Sequence, residues 1–272
     1  MTNFSRFSLL FLVALFLGCG DDDENVVVTG DGLLAQLERA SDGVSYEWTD
    51  FAYDADQNLT RIETQLESFL QTTYESSYEG GEAVSLRYVS ENSNAGNTIT
   101  KDYDLIREGN EIKLRNSAGV DEYVYQVTDG YIDNCKAFYG PNNEYFNETV
   151  FTRNADNNIG KIAYFATDAS STDLKVYEYT FSDYTSDFDL PGAYNPVLGF
   201  NFTGFPGQFG ELMGLKISNQ LPMKSSYWDA GGTFREENLS AVPVVVDGIL
   251  QEISYTNAGI SNNNYLLKFS YN

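Results

Sequence analysis

Two segments of this chain, residues 51–62 and 151–162, carry nearly the same pattern, FAYDADQNLTRI and FTRNADNNIGKI. A weaker copy, VDGILQEI, lies at residues 246–253. Asp and Asn tolerate left-handed backbone and bond to their own chain, so each copy predicts strand, polar turn and strand. We expect the first two copies to form equivalent β-hairpins in one antiparallel sheet, with Asp56 and Asp156 capping the turns.

A calcium loop is the alternative interpretation of the first copy. Asp54, Asp56 and Asn58 match the opening of an EF-hand loop. Leu59 stands where that loop needs glycine, and Gln65 stands where it needs a bidentate glutamate. The pattern therefore favours a plain turn, and no metal site or cofactor is predicted.

The composition favours strands throughout, with 20 Tyr and 18 Phe residues that suit a pleated, half-buried surface. Residues 33–40 allow a short helix, but the Asp-Gly pair that follows favours a strand and a hairpin. Further hairpins are predicted at Gly109, Gly130 and Gly248. The chain is thus predicted to be all-β, an antiparallel meander of hairpins forming a curved sheet or a barrel-like structure.

Residues 183–222 do not continue the pattern of strands and hairpins, because they hold four of the six prolines and several phenylalanines. We expect a Pro/Phe-rich capping loop with one helical turn near residues 208–215, which would cover an end of the sheet.

The formal charge of −24 disfavours a nucleic-acid partner, because it repels phosphate backbones. The absence of histidine excludes His-dependent triads and the common His-containing zinc sites. Catalysis by a pair of carboxylates, as in glycoside hydrolases, is not excluded. No residue is assigned a catalytic role.

Residues 1–18 have the length and hydropathy of a secretion signal, too short to span a bilayer. The signal ends in Leu15-Phe16-Leu17-Gly18, which is followed by Cys19, and this segment resembles the lipobox of bacterial lipoproteins. Phe16 departs from that pattern, which usually has Leu at this place. An ordinary cleaved signal is the alternative, but no A-x-A-like site lies nearby, so lipidation of Cys19 is the prediction.

Residues 19–31 form an acidic tether, and residues 32–272 form a single predicted β domain. The acidic run directly after Cys19 resembles the export signal that carries Bacteroidota lipoproteins to the outer face of the outer membrane. Cys135 then has no partner for an internal disulfide, and its alternating surroundings predict a small buried hydrophobe. The export-signal residues are Asp21, Asp22, Asp23 and Glu24.

The hairpin pattern resembles the tyrosine–aspartate (YD) repeats of Rhs-type proteins. The whole layout resembles a Bacteroidota surface lipoprotein family of unknown function with a porin-like β fold. The lipobox, the repeated hairpins, Asn195-Pro196 and residues 219–224 carry that resemblance. It implies a fold and a location at the outer membrane, but it brings no catalytic or binding residues.

Three functions remain open on the sequence. The first is a surface-exposed protein, held to the membrane by its lipid, that binds a glycan or a cell-surface protein. Tyr227 and Trp228 are the candidate contacts, because aromatic rings stack on sugar faces. The second is the carboxylate-pair glycoside hydrolase. The third, a membrane-spanning barrel, is disfavoured because Arg61, Glu63 and Lys175 interrupt the strand faces that lipid would touch.

Overall fold

Sixteen antiparallel strands follow one another around a closed barrel, and β1 pairs with β16 to complete it. The computed structural model describes residues 32–41, 43–66, 69–139, 145–167, 173–185, 190, 207–229, 234–257 and 264–272. The predicted antiparallel meander is therefore confirmed, and the sheet closes. Among the described residues, no helix has the length and apolar character to cross a membrane.

The first eight strands are β1 (Leu34–Ser41), β2 (Val44–Tyr53), β3 (Leu59–Leu66), β4 (Leu70–Glu79), β5 (Glu82–Asn92), β6 (Asn97–Glu108), β7 (Glu111–Asn116) and β8 (Asp121–Thr128). The next four are β9 (Tyr131–Tyr139), β10 (Tyr145–Arg153), β11 (Ile159–Thr167) and β12 (Asp173–Thr185). After helix α1 (Gly207–Leu212) come β13 (Leu221–Asp229), β14 (Phe234–Val246), β15 (Ile249–Asn257) and β16 (Tyr265–Tyr271). Residues 34–40 are a strand, as predicted.

The inward face of the barrel is mostly apolar. Successive side chains of a strand point to opposite faces, so each strand can bury one row and hydrate the other. On β3, Ile62 is fully buried, whereas Arg61 and Glu63 face outward. The same inward row supplies the core around the barrel, with Leu37, Leu86, Leu114, Ile162, Ile253 and Leu267 among its members.

The outward face carries ion pairs between neighbouring strands. These pairs span 3.7–4.0 Å, and the basic side chain of each pair is 36–55% exposed, so each pair adds little to stability. Their location matters more than their strength, because they place charge at the middle of the wall on many strands. They are Glu38–Lys268, Arg61–Glu75, Arg87–Asp102, Lys136–Glu148 and Lys161–Glu178.

A plug from the long connection between β12 and β13 fills one end of the barrel. It comprises α1 and the residues up to Gln220, and it buries Phe209, Leu212 and Ile217. The Phe209 ring lies 5.3–6.5 Å from four tyrosine rings and meets all of them edge-on. The helical turn predicted here is present, and this connection closes an end of the barrel as expected. The four rings belong to Tyr74, Tyr88, Tyr103 and Tyr123.

The described part of the barrel begins and ends at the plugged end. The backbone N–H of Asn272 donates to the carbonyl of Leu33, next to the start of β1. The turns 54–58 and 154–158 lie at this end, and Gln220 accepts a hydrogen bond from Asn158 at 2.8 Å. The turns 93–96 and 117–120 join strands at the opposite end.

The two copies of the repeat have the same hydrogen bonds. In the first, Asp54 Oδ1 accepts the N–H groups of Asp56 and Asn58, both at 2.9 Å. In the second, Asn154 Oδ1 accepts the N–H groups of Asp156 and Asn158, both at 3.0 Å. The predicted equivalence of the two hairpins is thus confirmed on their backbone contacts.

The predicted capping residues were wrong by two positions. Asp54 and Asn154 accept the turn N–H groups, and Asp56 and Asp156 supply two of the donors. An acceptor at the first turn position reaches forward to both N–H groups of an Asx-type turn, whereas a residue inside the turn cannot. The weaker third copy differs, since Asp247 and Gly248 both have positive φ in a two-residue turn.

One type of hydrogen bond recurs at the plugged end, between a backbone carbonyl near the start of one strand and a side chain near the end of the next strand. The first buried residue of a strand offers its carbonyl, and the last residues of the next strand supply a tyrosine hydroxyl or an arginine guanidinium. Six such bonds are present in the described part of the barrel. They are Tyr53 to Leu34, Tyr78 to Leu59, Arg107 to Ala83, Arg153 to Ile132, Tyr184 to Ile159 and Tyr271 to Leu250.

The repeated turn gives a direct test of the cap assignment. Asn154→Ala removes the acceptor of two backbone N–H groups and should lower the free energy of unfolding by about 1 kcal/mol. Asp156→Ala is the matched control, because the turn keeps its Asn154 acceptor and should lose little. Urea denaturation of both proteins measures the difference. Equal losses in the two variants would contradict the assignment.

Candidate functional site

A groove of about 660 Å³ runs across the outward face of β2 to β7, and we call it the outer groove. Three arginines and three carboxylates line it. All six project from strands of the wall, so the sheet itself fixes their spacing. The six are Arg61, Glu75, Arg87, Asp102, Asp104 and Arg115.

Four of these side chains form one row across four strands. Arg61 lies opposite Glu75, Glu75 opposite Arg87, and Arg87 opposite Asp102. Neighbouring strands lie roughly 4.8 Å apart, so the sign of the charge alternates at that interval. The separations are long, with 4.0 Å from Arg61 Nε to Glu75 Oε1 and 3.8 Å from Arg87 Nε to Asp102 Oδ1. Arg61 also donates a hydrogen bond to Glu63 on its own strand. The longer separations leave Glu75, Arg87 and Asp102 with hydrogen-bonding capacity for a ligand.

Arg115 is held more firmly. Its guanidinium donates to both carboxylate oxygens of Asp121, at 2.7 and 3.1 Å. This bidentate contact raises the pKa of Arg115 and fixes the plane of its side chain. Asp104 lies opposite Arg115 in the sheet register, so the alternation of charge continues into this second row.

Small side chains make the wall concave here. Ser77 and Ser85 face each other across β4 and β5, with their hydroxyl oxygens 2.6 Å apart. Ala52 and Thr60 lie at the β2–β3 side of the groove. Long charged side chains around short ones leave open space over the sheet.

A second depression, of about 240 Å³, lies on the same wall toward the unplugged end. Gln65, Gln71 and Glu91 line it. Trp48 on β2 lies directly opposite Gln65 and is half-buried. Sequence reasoning missed both this tryptophan and the outer groove. The signal available was the period-two placement of charges such as Asp102 and Asp104.

The predicted site residues lie elsewhere. Cys19 and the acidic run from Asp21 to Glu24 fall outside the described residues. Tyr227 lies on β13 with its ring centroid 4.8 Å from that of Tyr179, on the inward face. The backbone of Trp228 lies opposite Glu178, and its side chain is outside the described part of the chain. The structure therefore does not bring Tyr227 to the outer groove.

A hydrogen-bonded ionic cluster around Glu122 lies on the inward face. Its Oε2 accepts from Lys101 Nζ at 2.8 Å and from the Tyr103 hydroxyl at 2.9 Å. Its Oε1 accepts from Asn116 Nδ2 at 2.9 Å. Burial opposes ionisation of Glu122, but these hydrogen bonds outweigh it and hold the carboxyl pKa below its usual value.

Cys135 is buried on β9, as predicted, and burial raises the pKa of its thiol well above the usual range. A protonated, enclosed thiol is a poor nucleophile. Within the ranges that the structure describes, no group of three or more acidic or cysteine side chains is arranged to hold a metal ion.

No family model matches this chain, and no curated protein matches it. It is similar to the crystal structure of a porin-like protein from Bacteroides vulgatus ATCC 8482, with a TM-score of 0.52 and 13% identity over 89% of this chain and 99% of that one. A porin-like protein from Bacteroides uniformis ATCC 8492 gives a TM-score of 0.44 and 12% identity, covering 88% and 98% of the two chains. At such low identity, the first similarity concerns the fold alone.

The Glu122 cluster predicts a pH dependence of stability. A carboxyl whose pKa is lowered by folding stabilises the fold above its unfolded pKa, and that contribution is lost as pH falls through the folded pKa. Stability of the natural protein should therefore decline between about pH 5 and pH 3, and Glu122→Gln should flatten this decline. Urea denaturation across that range measures it. Equal flattening by Glu252→Gln, on the outer face, would assign the effect to net charge instead.

Proposed function

We propose that this chain is a lipid-anchored binding protein of the outer membrane, exposed at the cell surface, whose barrel stands in water beside the bilayer. The observation that carries the proposal is the polarity of the wall, which has charged side chains on the outward face of many strands and a mostly apolar core inside. Glu38 and Lys268 pair on one side of the barrel, and Lys161 and Glu178 pair on another. A wall of this kind is stable with water outside and side chains inside.

A membrane-spanning barrel needs the opposite arrangement. Its outward face carries an apolar band about 25 Å tall, and a lysine or arginine at the bilayer midplane costs about 2–4 kcal/mol. Arg61, Arg87 and Lys136 all lie on the outward face of mid-barrel strands. The interior is also occupied, since Phe209 and its four tyrosine neighbours fill the space at the plugged end. These features favour a barrel that binds on its surface over one that conducts through its centre.

Lipid on Cys19 would attach the protein to the membrane, because the charged outer wall cannot insert into the bilayer. Each buried methylene of an acyl chain contributes about 0.8 kcal/mol, so more than one chain holds a protein stably. The net charge of −24 opposes adsorption to anionic lipid, which leaves the lipid as the source of attachment.

Binding is favoured over catalysis by the state of the described carboxyl groups. A glycoside hydrolase needs an acid whose pKa is raised so that it can donate a proton. Asp54 and Glu122 have pKa values lowered by the hydrogen bonds that they accept. Neither of these two groups is the raised acid that a hydrolase needs, so binding is the function we propose.

Fractionation of cells tests the anchor. Cys19→Ala should release the domain from the membrane fraction while its thermal unfolding stays unchanged, because the barrel core does not depend on the lipid. Membrane sedimentation of this variant after a high-salt wash would overturn the proposal. Alanine in place of Asp21, Asp22, Asp23 and Glu24 should leave the protein membrane-bound but hidden from protease added to intact cells.

The same proposal fixes the orientation of the barrel. The described chain begins at the plugged end, so a tether of residues 19–31 would join the barrel there and would span at most about 45 Å when extended. Described turns at the other end, residues 93–96 and 117–120, carry no charged side chain. The plugged end is acidic, which keeps it from pressing on anionic lipid. Its acids include Asp54, Glu79, Glu82, Glu108, Glu111, Asp129, Asp156, Asp183 and Asp247.

Energy transfer to labelled lipid measures this orientation. A fluorophore on Asn110→Cys, at the plugged end, should transfer more efficiently to acceptor lipids in vesicles than one on Ala95→Cys. Strands of ten residues tilted in a barrel place the two ends roughly 25 Å apart. Transfer that is equal for the two labels, or greater from Ala95→Cys, would refute the orientation. The Cys19→Ala protein with either label is the control and should show no transfer.

A further inference from the structure

We propose that the outer groove binds a neutral oligosaccharide, an inference that rests on the proposed binding function and names its ligand class. The geometry behind it is the alternation of guanidinium and carboxylate groups above a floor of serine hydroxyls. Arg61, Glu75, Arg87 and Asp102 form the row, and Ser77 and Ser85 form the floor.

The charges that line the groove cancel. Three arginines oppose three carboxylates, so the groove lining is balanced in a chain whose formal charge is −24. A polyanionic ligand gains little there, because the field of the whole protein repels it. Selection in the groove therefore depends on the pattern of hydrogen bonds more than on net charge.

That pattern suits a chain of hydroxyl groups. A guanidinium only donates hydrogen bonds and an ionised carboxylate only accepts them, whereas a hydroxyl does both. Adjacent sugar hydroxyls can accept from Arg87 and donate to Glu75 or Asp102 on the flanking strands. Because neighbouring strands lie roughly 4.8 Å apart, donor and acceptor groups alternate at that interval along the row.

The groove also has the required room and access. Its volume of about 660 Å³ lies in the range of pockets that hold small organic ligands, roughly 300–1,000 Å³. Ser77 and Ser85 lie at its floor, so a sugar ring can approach the sheet between the longer charged side chains. Arg61 is also held by Glu63, but the loose and exposed pair Arg87–Asp102 can exchange its partner for a ligand hydroxyl at little cost.

The test uses the full-length lipidated protein in a zwitterionic detergent and an array of neutral, linear hexose oligosaccharides. Titration calorimetry then measures affinity for any saccharide retained. Ser85→Trp places a large ring on the groove floor and should weaken that affinity at least about tenfold. Thr180→Trp adds the same ring to the outward face of β12, outside the groove, and should keep the natural affinity.

A second groove variant distinguishes loss of binding from misfolding of the Ser85→Trp protein. Arg87→Gln keeps a long polar side chain at an exposed position and should also weaken binding, with an unchanged melting temperature. Retention of full affinity by both groove variants would place the saccharide elsewhere and overturn this inference, while leaving a surface binding protein. Failure of every neutral saccharide to bind would overturn the ligand class. Neither result would alter the Cys19→Ala release experiment, so the two proposals fail separately.

Discussion

A closed sheet of sixteen strands encloses more space than aliphatic side chains on its walls can fill, and the rest of this structure follows from that constraint. Protein interiors pack as densely as organic crystals, so an unfilled centre would lose dispersion contacts on every wall. Tyrosines project inward from four strands and meet around Phe209, which a separate segment carries into the barrel. The plug is therefore part of the core, and a long connection between β12 and β13 is the means of delivering it.

The large number of tyrosines has a second cause in the bulges at the plugged end. A bulge leaves a backbone group without its ladder partner, and such a group needs another partner when it is buried. The register shifts beside Leu59 between β2 and β3, and the carbonyl of Leu59 accepts the hydroxyl of Tyr78. The same arrangement occurs at Ile159 with Tyr184, and at Ile132 with Arg153 in place of tyrosine. A phenol body packs in the core while its hydroxyl satisfies the backbone, which phenylalanine cannot do.

Local signals in the sequence predicted the elements, but not how the elements combine. The turns 54–58 and 154–158 and the hairpins at Gly109, Gly130 and Gly248 depend on residues adjacent in the chain, and the sequence predicts them. Closure depends on pairing β1 with β16, such as Leu37 with Phe269, which no local pattern reveals. The capping error had the same origin, because the pattern marks the turn without saying which carboxylate points back into it.

The outer groove could not be predicted from the sequence for a related reason. It requires side chains from six strands to lie side by side, and Arg61 and Asp102 are distant in the chain. Ser77 and Ser85 look like ordinary exposed serines until the sheet register places them opposite each other. On β9 and β10, by contrast, Lys136 and Glu148 face each other directly across the wall. The groove differs from that part of the wall because short side chains lie between its charged ones. This arrangement can be recognised only when the pairing of the strands is known.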